Sequence, residues 1–245
     1  MHIASINLRI DVLADGKNQW KFRKDGIIHF IKRESFDVIG MQEAGPQMFD
    51  DLVEGLGDQY KLIYQGRDHR GEGTPIAVKK GLLIESYGTK WLTGTPDIES
   101  TIANSHFPRI VTFVHIGGDT PFYFFNTHLD YASDNVCKIQ TEHLLNITSL
   151  VNVHQLPYVI TGDFNQYPDS KTIRFIRGKH QSMYDHVEKF PLTFHGFSKK
   201  TRGLPIDYIF FSEAWTLKSS KIHHHQKDLP YLSDHYPISA FLIKK

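Results

Sequence analysis

Six stretches of the chain place, at or beside an apolar run, a side chain that can bind a metal ion or move a proton. Asn7 follows "ASI", Glu43 follows "VIGMQ", His128 follows "FYFFNT", and Asp163 with Asn165 follows "YVITG". Asp207 sits inside "LPIDYIFF", and Asp234 with His235 stands just before "YPISAFLI". Any one of these has a plain explanation, because Gly, Asp and Asn favour turns. Together they point to one site at the ends of strands, where scaffolds commonly hold their chemistry. Glu43, Asn7 and Asp234 offer oxygen ligands only, which suits a hard cation, Mg²⁺ or Mn²⁺. Zinc would require more His or Cys ligands at close spacing. His235 and Asp207 can form a carboxylate–imidazole pair, and His128 and Asn165 can donate hydrogen bonds to an anionic oxygen. Such a set suits attack of water on a phosphate ester: a metal neutralises charge, a base orients the water, and donors stabilise the transition state.

The elements that must carry these residues alternate between strands and helices. Residues 2–10, 37–43, 60–66 and 73–81 read as strands, and residues 83–93 as a strand pair. Residues 109–118 and 121–130 form a hairpin through "GGDTP", and further strands fall at 158–163, 205–212, 215–225 and the end of 233–245. Residues 17–36 carry Trp20, Ile27, Ile28 and Ile31 at helical spacing. Residues 46–57 have Pro near the start and Gly near the end, as helices do. Residues 133–152 predict a helix capped by Ser133 or Asp134, with Val136, Ile139, Ile147, Leu150 and Val151 on one stripe, and 170–178 a short one. Strands outnumber helices, and hairpins mix with β-α-β crossovers. The expectation is an α/β (α+β) protein with mixed sheets and a single domain over residues 1–245.

Composition narrows the partners. Across 245 residues, 28 Lys and Arg face 27 Asp and Glu, so no strong global field draws a polyanion such as duplex DNA. Cys137 is the one cysteine, which rules out a disulfide within the chain and fits a reducing compartment. The N-terminus has no basic stretch leading a long apolar run, and no apolar segment reaches the roughly eighteen residues of a membrane span. A cytoplasmic protein with no membrane partner is expected.

The stretches "SINLRI", "MQE", "NTHLD", "GDFN", "PIDYIFF" and "SDHYPI" follow one another from the first strand to residue 238. This series resembles that of the endonuclease/exonuclease/phosphatase superfamily, which has the deoxyribonuclease-I-like fold. "INLRIDVLADGKNQWKFRK", "WLTGTPD" and "FPRI" are similar to its bacterial, deadenylase-like branch. The resemblance implies a four-layer sandwich: two mixed β-sheets face to face, helices outside, and the site at one end. It implies Glu43 as the principal Mg²⁺ ligand with Asn7 nearby, and His235, steered by Asp207, accepting or orienting the proton of the attacking water. It further implies that Asp163 and Asn165 align nucleophile and phosphate, that His128 donates to a phosphate oxygen, and that Asp234 supports the metal or His235. Asp163 and His235 both stand as candidates for the base. Arg109 in "FPRI" matches a basic position of that branch, and its planar fork of donors suits phosphate.

The reaction is better defined than the substrate. The first reading is a phosphatase for a small phosphorylated metabolite such as a sugar phosphate, favoured by the neutral charge and the branch resembled. The second is a nuclease on DNA or RNA, although duplex binders carry a surplus of Lys and Arg for phosphate contacts. A non-catalytic binding protein would need a damaged metal site, and a lipid phosphodiesterase an exposed aromatic hairpin; neither is evident. The loop "GRDHRGEG" is expected to offer His69 and Glu72 to the substrate, with Trp91 and Phe107 lining the pocket. His223 to His225 cannot all face one ion from a strand, because alternate side chains point to opposite faces. Cys137 reads as a small packing residue.

Overall fold

The computed structural model describes residues 1–225 and 231–245. Its strands are β1 (His2–Asn7), β2 (Val38–Gln42), β3 (Tyr60–Ile63), β4 (Ile76–Lys79), β5 (Ile84–Trp91), β6 (Ile110–Ile116), β7 (Phe122–His128), β8 (Tyr158–Asp163), β9 (Gln181–Ser182), β10 (Asp207–Phe211), β11 (Trp215–Ile222) and β12 (Ile238–Lys244). Its α-helices are α1 (Trp20–Glu34), α2 (Pro46–Leu56), α3 (Asp134–Val151) and α4 (Lys171–Arg177). One sheet runs β11-β12-β1-β2-β4-β3 and the other β5-β6-β7-β8-β10-β9. Each is mixed, because β1–β2 and β7–β8 are parallel while the other pairs are antiparallel.

Alternation along the strands sorts the layers. Ala4, Ile6, Ile39 and Met41 pack against Trp20, Ile27 and Ile31 of α1 and Met48, Leu52 and Leu56 of α2. Ile3 and Val38, on the other face, join Phe124, Ile160 and Ile209 of the second sheet in the larger core. Cys137, Leu144 and Ile147 of α3 and Ile173 and Ile176 of α4 belong to that core too. The result is the expected four-layer sandwich of two mixed sheets flanked by helices. Among the described residues, no helix is long and apolar enough to cross a membrane.

Three expectations change. Residues 83–93 hold one strand, not a pair: β5 stays paired with β6 from Ile84 to Trp91 and passes Ser86 by a register shift instead of a turn. In α3 the buried stripe is Val136, Cys137, Gln140, Thr141, Leu144, Ile147 and Thr148, while Ile139 and Leu150 are exposed. Thr141 and Thr148 can be buried because their hydroxyls donate to the carbonyls of Cys137 and Leu144, both at 2.9 Å. Finally, β11 ends at Ile222, so the three histidines lie beyond it. His223 is buried, with its ring 5.0 Å from that of Phe30 and Nε2 2.9 Å from Ser239 Oγ.

Between the sheets lies a polar layer. Gln42 Nε2 donates to Asn126 Oδ1 (2.7 Å) and Ser5 Oγ (3.1 Å), and Thr161 Oγ1 donates to the same Asn126 oxygen (3.1 Å). Asn126 Nδ2 donates to the carbonyls of Met41 (2.7 Å) and Pro75 (3.1 Å). Residue 40 must be glycine here, since a Cβ would collide with Thr161 Oγ1 and the Asn126 amide. Two residues further along three of these strands, on the same face, come Asn7, His128 and Asp163.

Asn126→Ala takes one partner each from Gln42, Thr161 and the Met41 and Pro75 carbonyls in the interior, although Gln42 keeps Ser5 and Pro75 keeps the Met41 N–H, and the expected loss is about 2 kcal/mol, read from urea unfolding. Burial, reinforced by Lys221, lowers the His223 pKa from 6.5 to about 4. The unfolded chain therefore binds the extra proton first, so this contribution is complete above pH 6.5 and is lost as pH falls toward 4. The urea midpoint of His223→Gln should decline less than that of the parent over this window.

Candidate active site

The strand ends bring the predicted acids together. Glu43 leaves β2 at φ 59° and Asn165 follows β8 at φ 50°, left-handed conformations that non-glycine residues adopt at a cost. Glu43 Oε2 accepts from the Ile10 backbone N–H (3.0 Å), and Oε1 accepts from Asn7 Nδ2 (2.9 Å). The same Asn7 nitrogen donates to Asp163 Oδ2 at 2.9 Å. Asp163 stands beside His128 in the β7–β8 register and opposite Asp207 in the β8–β10 register. Two facing acids repel, and His235 relieves this: its Nδ1 is 2.8 Å from Asp207 Oδ2 and its Nε2 is 3.7 Å from Asp163 Oδ2. Asn165 Nδ2 donates to Leu129 O (3.0 Å) and meets His128 Nε2 (3.1 Å).

The charges are strongly coupled. Burial, then the charge of Asp207, pushes Asp163 up to about 7 against the pull of His235. Burial pulls His235 down, but the charge and hydrogen bond of Asp207, with Asp163 and Asp234, outweigh it and carry the imidazole to about 10. Burial, then Arg109, Arg67 and His235, holds His128 well below its usual value. His128 is therefore neutral, and its Nε2 accepts from Asn165. Asp234 is raised by burial and by Glu43, with His235 opposing.

These groups open into a cavity of about 530 Å³ lined by Glu43, Asp163, Asn165, Asp234, His235 and His128, with Arg67, Glu72 and Arg109 on the wall. Phe107, Tyr131, Tyr167 and Phe194 also line it. Ligand atoms of Glu43, His128 and Asp163 lie within 4.8 Å of one another, as do those of Asp163, Asp207 and His235. Glu43, Asp163 and Asp234 share the cavity with Glu72, and the charge of Glu43 helps raise Asp163 and Asp234. This donor set fits a hard divalent cation.

Several assignments shift. Asn7 turns its amide nitrogen toward Glu43 and Asp163, because the two carboxylates need a donor between them; its oxygen accepts from Arg9 N (2.9 Å). Asp207 lies behind His235 and does not line the cavity. His69 is exposed in the 66–73 loop, away from the cavity lining, while Glu72 points in. Trp91 is buried at the end of β5, where its indole N–H donates to Arg67 O (2.9 Å), so it braces the wall instead of touching a substrate. Arg67, Arg9 and Asp130 were not picked out from the sequence. Asp130, fully buried, receives Ser105 Oγ (2.8 Å), His106 N (3.0 Å), Phe107 N (3.2 Å) and Arg109 Nε (3.4 Å). It stands at the end of "NTHLD", a strand-terminal acid like the others, which was the available signal.

Comparison with known proteins agrees with this fold. The sequence profile described as the Endonuclease/Exonuclease/phosphatase family matches residues 4–235. An endonuclease/exonuclease/phosphatase structure from Bacteroides vulgatus is 28% identical with a TM-score of 0.92, covering 100% of this chain and 98% of its own. A mannosyl-6-phosphatase from Bacteroides thetaiotaomicron is 24% identical with a TM-score of 0.89, covering 99% of each chain. An uncharacterized protein, L388, of Acanthamoeba polyphaga mimivirus is 27% identical over 80% of this chain and 81% of its own.

Removing Asp207 leaves burial as the dominant influence on His235, so its pKa should drop. In metal-free protein, NMR of the His235 ring should show a charged imidazole at pH 8 in the parent and a neutral one in Asp207→Asn. A charged ring in both would separate His235 from Asp207.

Proposed function

The chain belongs to the endonuclease/exonuclease/phosphatase family, and we propose that it is a divalent-metal-dependent phosphoesterase acting on a small phosphorylated metabolite such as a sugar phosphate. The observation that carries this reading is the meeting of Glu43, Asp163 and His235 at one cavity, with Asp207 2.8 Å behind the imidazole. Glu43, with Asp163 and Asp234 close by, would hold Mg²⁺ or Mn²⁺, which supplies charge neutralisation at the phosphate. Asp163 Oδ2 and His235 Nε2, 3.7 Å apart, are both within reach of one water molecule: the charged His235 ring orients it and the Asp163 carboxylate takes its proton. Asp207 fixes the ring of His235. Asn165 and His128 face the phosphoryl oxygens, and Asn7 keeps the Glu43 and Asp163 carboxylates in register. The phosphatase branch of the reading rests on the near-neutral chain, the modest cavity and the likeness to a mannosyl-6-phosphatase.

A phosphate-release screen over sugar phosphates, nucleotides, inositol phosphates and short oligonucleotides tests it. Release from monoesters should require Mg²⁺ or Mn²⁺ and stop with EDTA. Shortened oligonucleotides at low enzyme concentration would replace the phosphatase reading with a nuclease one. Asp163→Ala and His235→Ala should fold, as judged by thermal melts, and lose about 10²-fold or more in kcat. Near-parental turnover in either contradicts the assigned roles.

A further inference from the structure

The floor of the cavity is charged, but its mouth is aromatic. Tyr131, Tyr167 and Phe194 all line it, and they are 59%, 56% and 44% exposed. Among the described residues the only other phenylalanines and tyrosines this open are Phe22, Tyr87 and Phe241, so half of them gather at one opening. β7 and β8 are parallel neighbours with His128 beside Asp163, and the loops that leave them run out side by side. Tyr131 comes three residues after His128 and Tyr167 two after Asn165, which brings both rings to the rim of the reaction centre. Tyr131 is also braced. Asp130, fully buried, accepts from the backbone N–H groups of His106 (3.0 Å) and Ala132 (2.8 Å), and its Oδ1 lies 3.1 Å from His106 Nδ1. This holds the His106 ring against one face of Tyr131, at 4.6 Å and 24°. Phe107 is already occupied by the guanidiniums of Arg67 and Arg109, and Phe194 leans on His235, with ring centroids 4.9 Å apart. Glu72 faces the same space: its Oε1 accepts from Arg67 Nη1 (2.7 Å), while Oε2 has no hydrogen-bond partner among the described residues.

Resting on the phosphoesterase reading above, we propose that this mouth is a leaving-group subsite for a cyclic sugar: Tyr131, with Tyr167 at the same rim, takes the C–H face of the ring, and Glu72 Oε2 accepts from a ring hydroxyl. An exposed aromatic face loses water gladly to an apolar surface, and a free carboxylate oxygen needs a donor. A pyranose offers both at once, a flat face of C–H bonds and an edge of hydroxyls. An open-chain polyol phosphate has the hydroxyls without the face. In a nucleotide the ribose stands between phosphate and base, so the base would reach past rings this near the reaction centre. The cavity, at about 530 Å³, is of a size that takes a small ligand whole. Because Asp130 fixes His106 before any ligand arrives, Tyr131 spends little freedom when a sugar settles on it.

The test compares mannose 6-phosphate with mannitol 1-phosphate, its open-chain reduction product, on the metal-loaded protein. Both esters carry the phosphate on a primary carbon and differ in ring closure. The parent should favour the cyclic ester in kcat/KM by about tenfold or more, and Tyr131→Leu should cut that ratio about fivefold or more, while Tyr131→Phe retains it. Glu72→Gln should raise KM for mannose 6-phosphate about tenfold with a smaller change in kcat. NMR supplies a readout without turnover. With Mg²⁺ present, the methylenephosphonate analogue of mannose 6-phosphate, which is not hydrolysed, should bind with its ring C–H protons shifted upfield by the aromatic ring current. Tyr131→Leu should abolish that shift. A parent with no preference for the cyclic ester, a parental ratio in Tyr131→Leu, an unaltered KM in Glu72→Gln, or faster turnover of AMP than of mannose 6-phosphate overturns the subsite. If the parent hydrolyses no phosphate ester at all, the phosphoesterase reading fails, and the ring-current shift still decides whether the mouth holds a sugar.

Discussion

A buried polar layer centred on the Asn126 amide joins the two sheets. Asn126 takes hydrogen bonds from Gln42 and Thr161 and gives its own to two carbonyls, one of them in β2, across a seam that only glycine at position 40 allows to close. Much of the surrounding interface is apolar, with the Thr74–Thr112 contact and the Asn7–Asp163 bond as further polar links. Here a fully satisfied polar group fixes one register, because a slip would strand several donors and acceptors away from water. The pleat repeats every two residues, so this layer sets the positions of Asn7, His128 and Asp163 directly above it. Precision at the site is inherited from the core beneath it.

The second constraint is electrostatic. Asp163 and Asp207 face one another across an antiparallel pair and are buried with Asp234, and the half-buried Glu43 stands nearby. Such a group is stable only when each carboxylate has a donor or cation. Asn7 supplies two donor contacts, His235 carries a charge maintained by Asp207, and Arg9 lies 3.7 Å from Asp234. A divalent ion completes this pattern. On the far wall Arg67 and Arg109 are held by Glu72, Asp68 and Asp130, beside a neutral His128.

The strands and the polar residues beside them were legible because an apolar run with an acid or histidine at its end marks both an element and its tip; the four-layer arrangement came from the family resemblance. Glu43, Asp163, Asp207 and His235 fall in this class. Residues whose placement depends on a partner far along the chain were not legible. Arg67 sits in a Gly-rich loop from which the sequence singled out His69 and Glu72, and the Trp91 hydrogen bond, the Phe107 ring and Glu72 bury it. His69, two residues on, shares its composition but points to solvent. Asn7 was read as an oxygen ligand from residue type alone, whereas the amide's orientation follows from the two carboxylates it faces. The α3 stripe misled for a local reason: threonines that bond back to their own helix are buried as readily as isoleucine.

The account turns on one cation held between Glu43 and Asp163. Anomalous diffraction from crystals grown with Mn²⁺ and phosphate measures this directly. The expected map has a manganese peak within coordination distance of Glu43, with a phosphate between it and the Arg67–Arg109 wall. A peak elsewhere, or phosphate bound away from Asp163 and His235, would contradict the account.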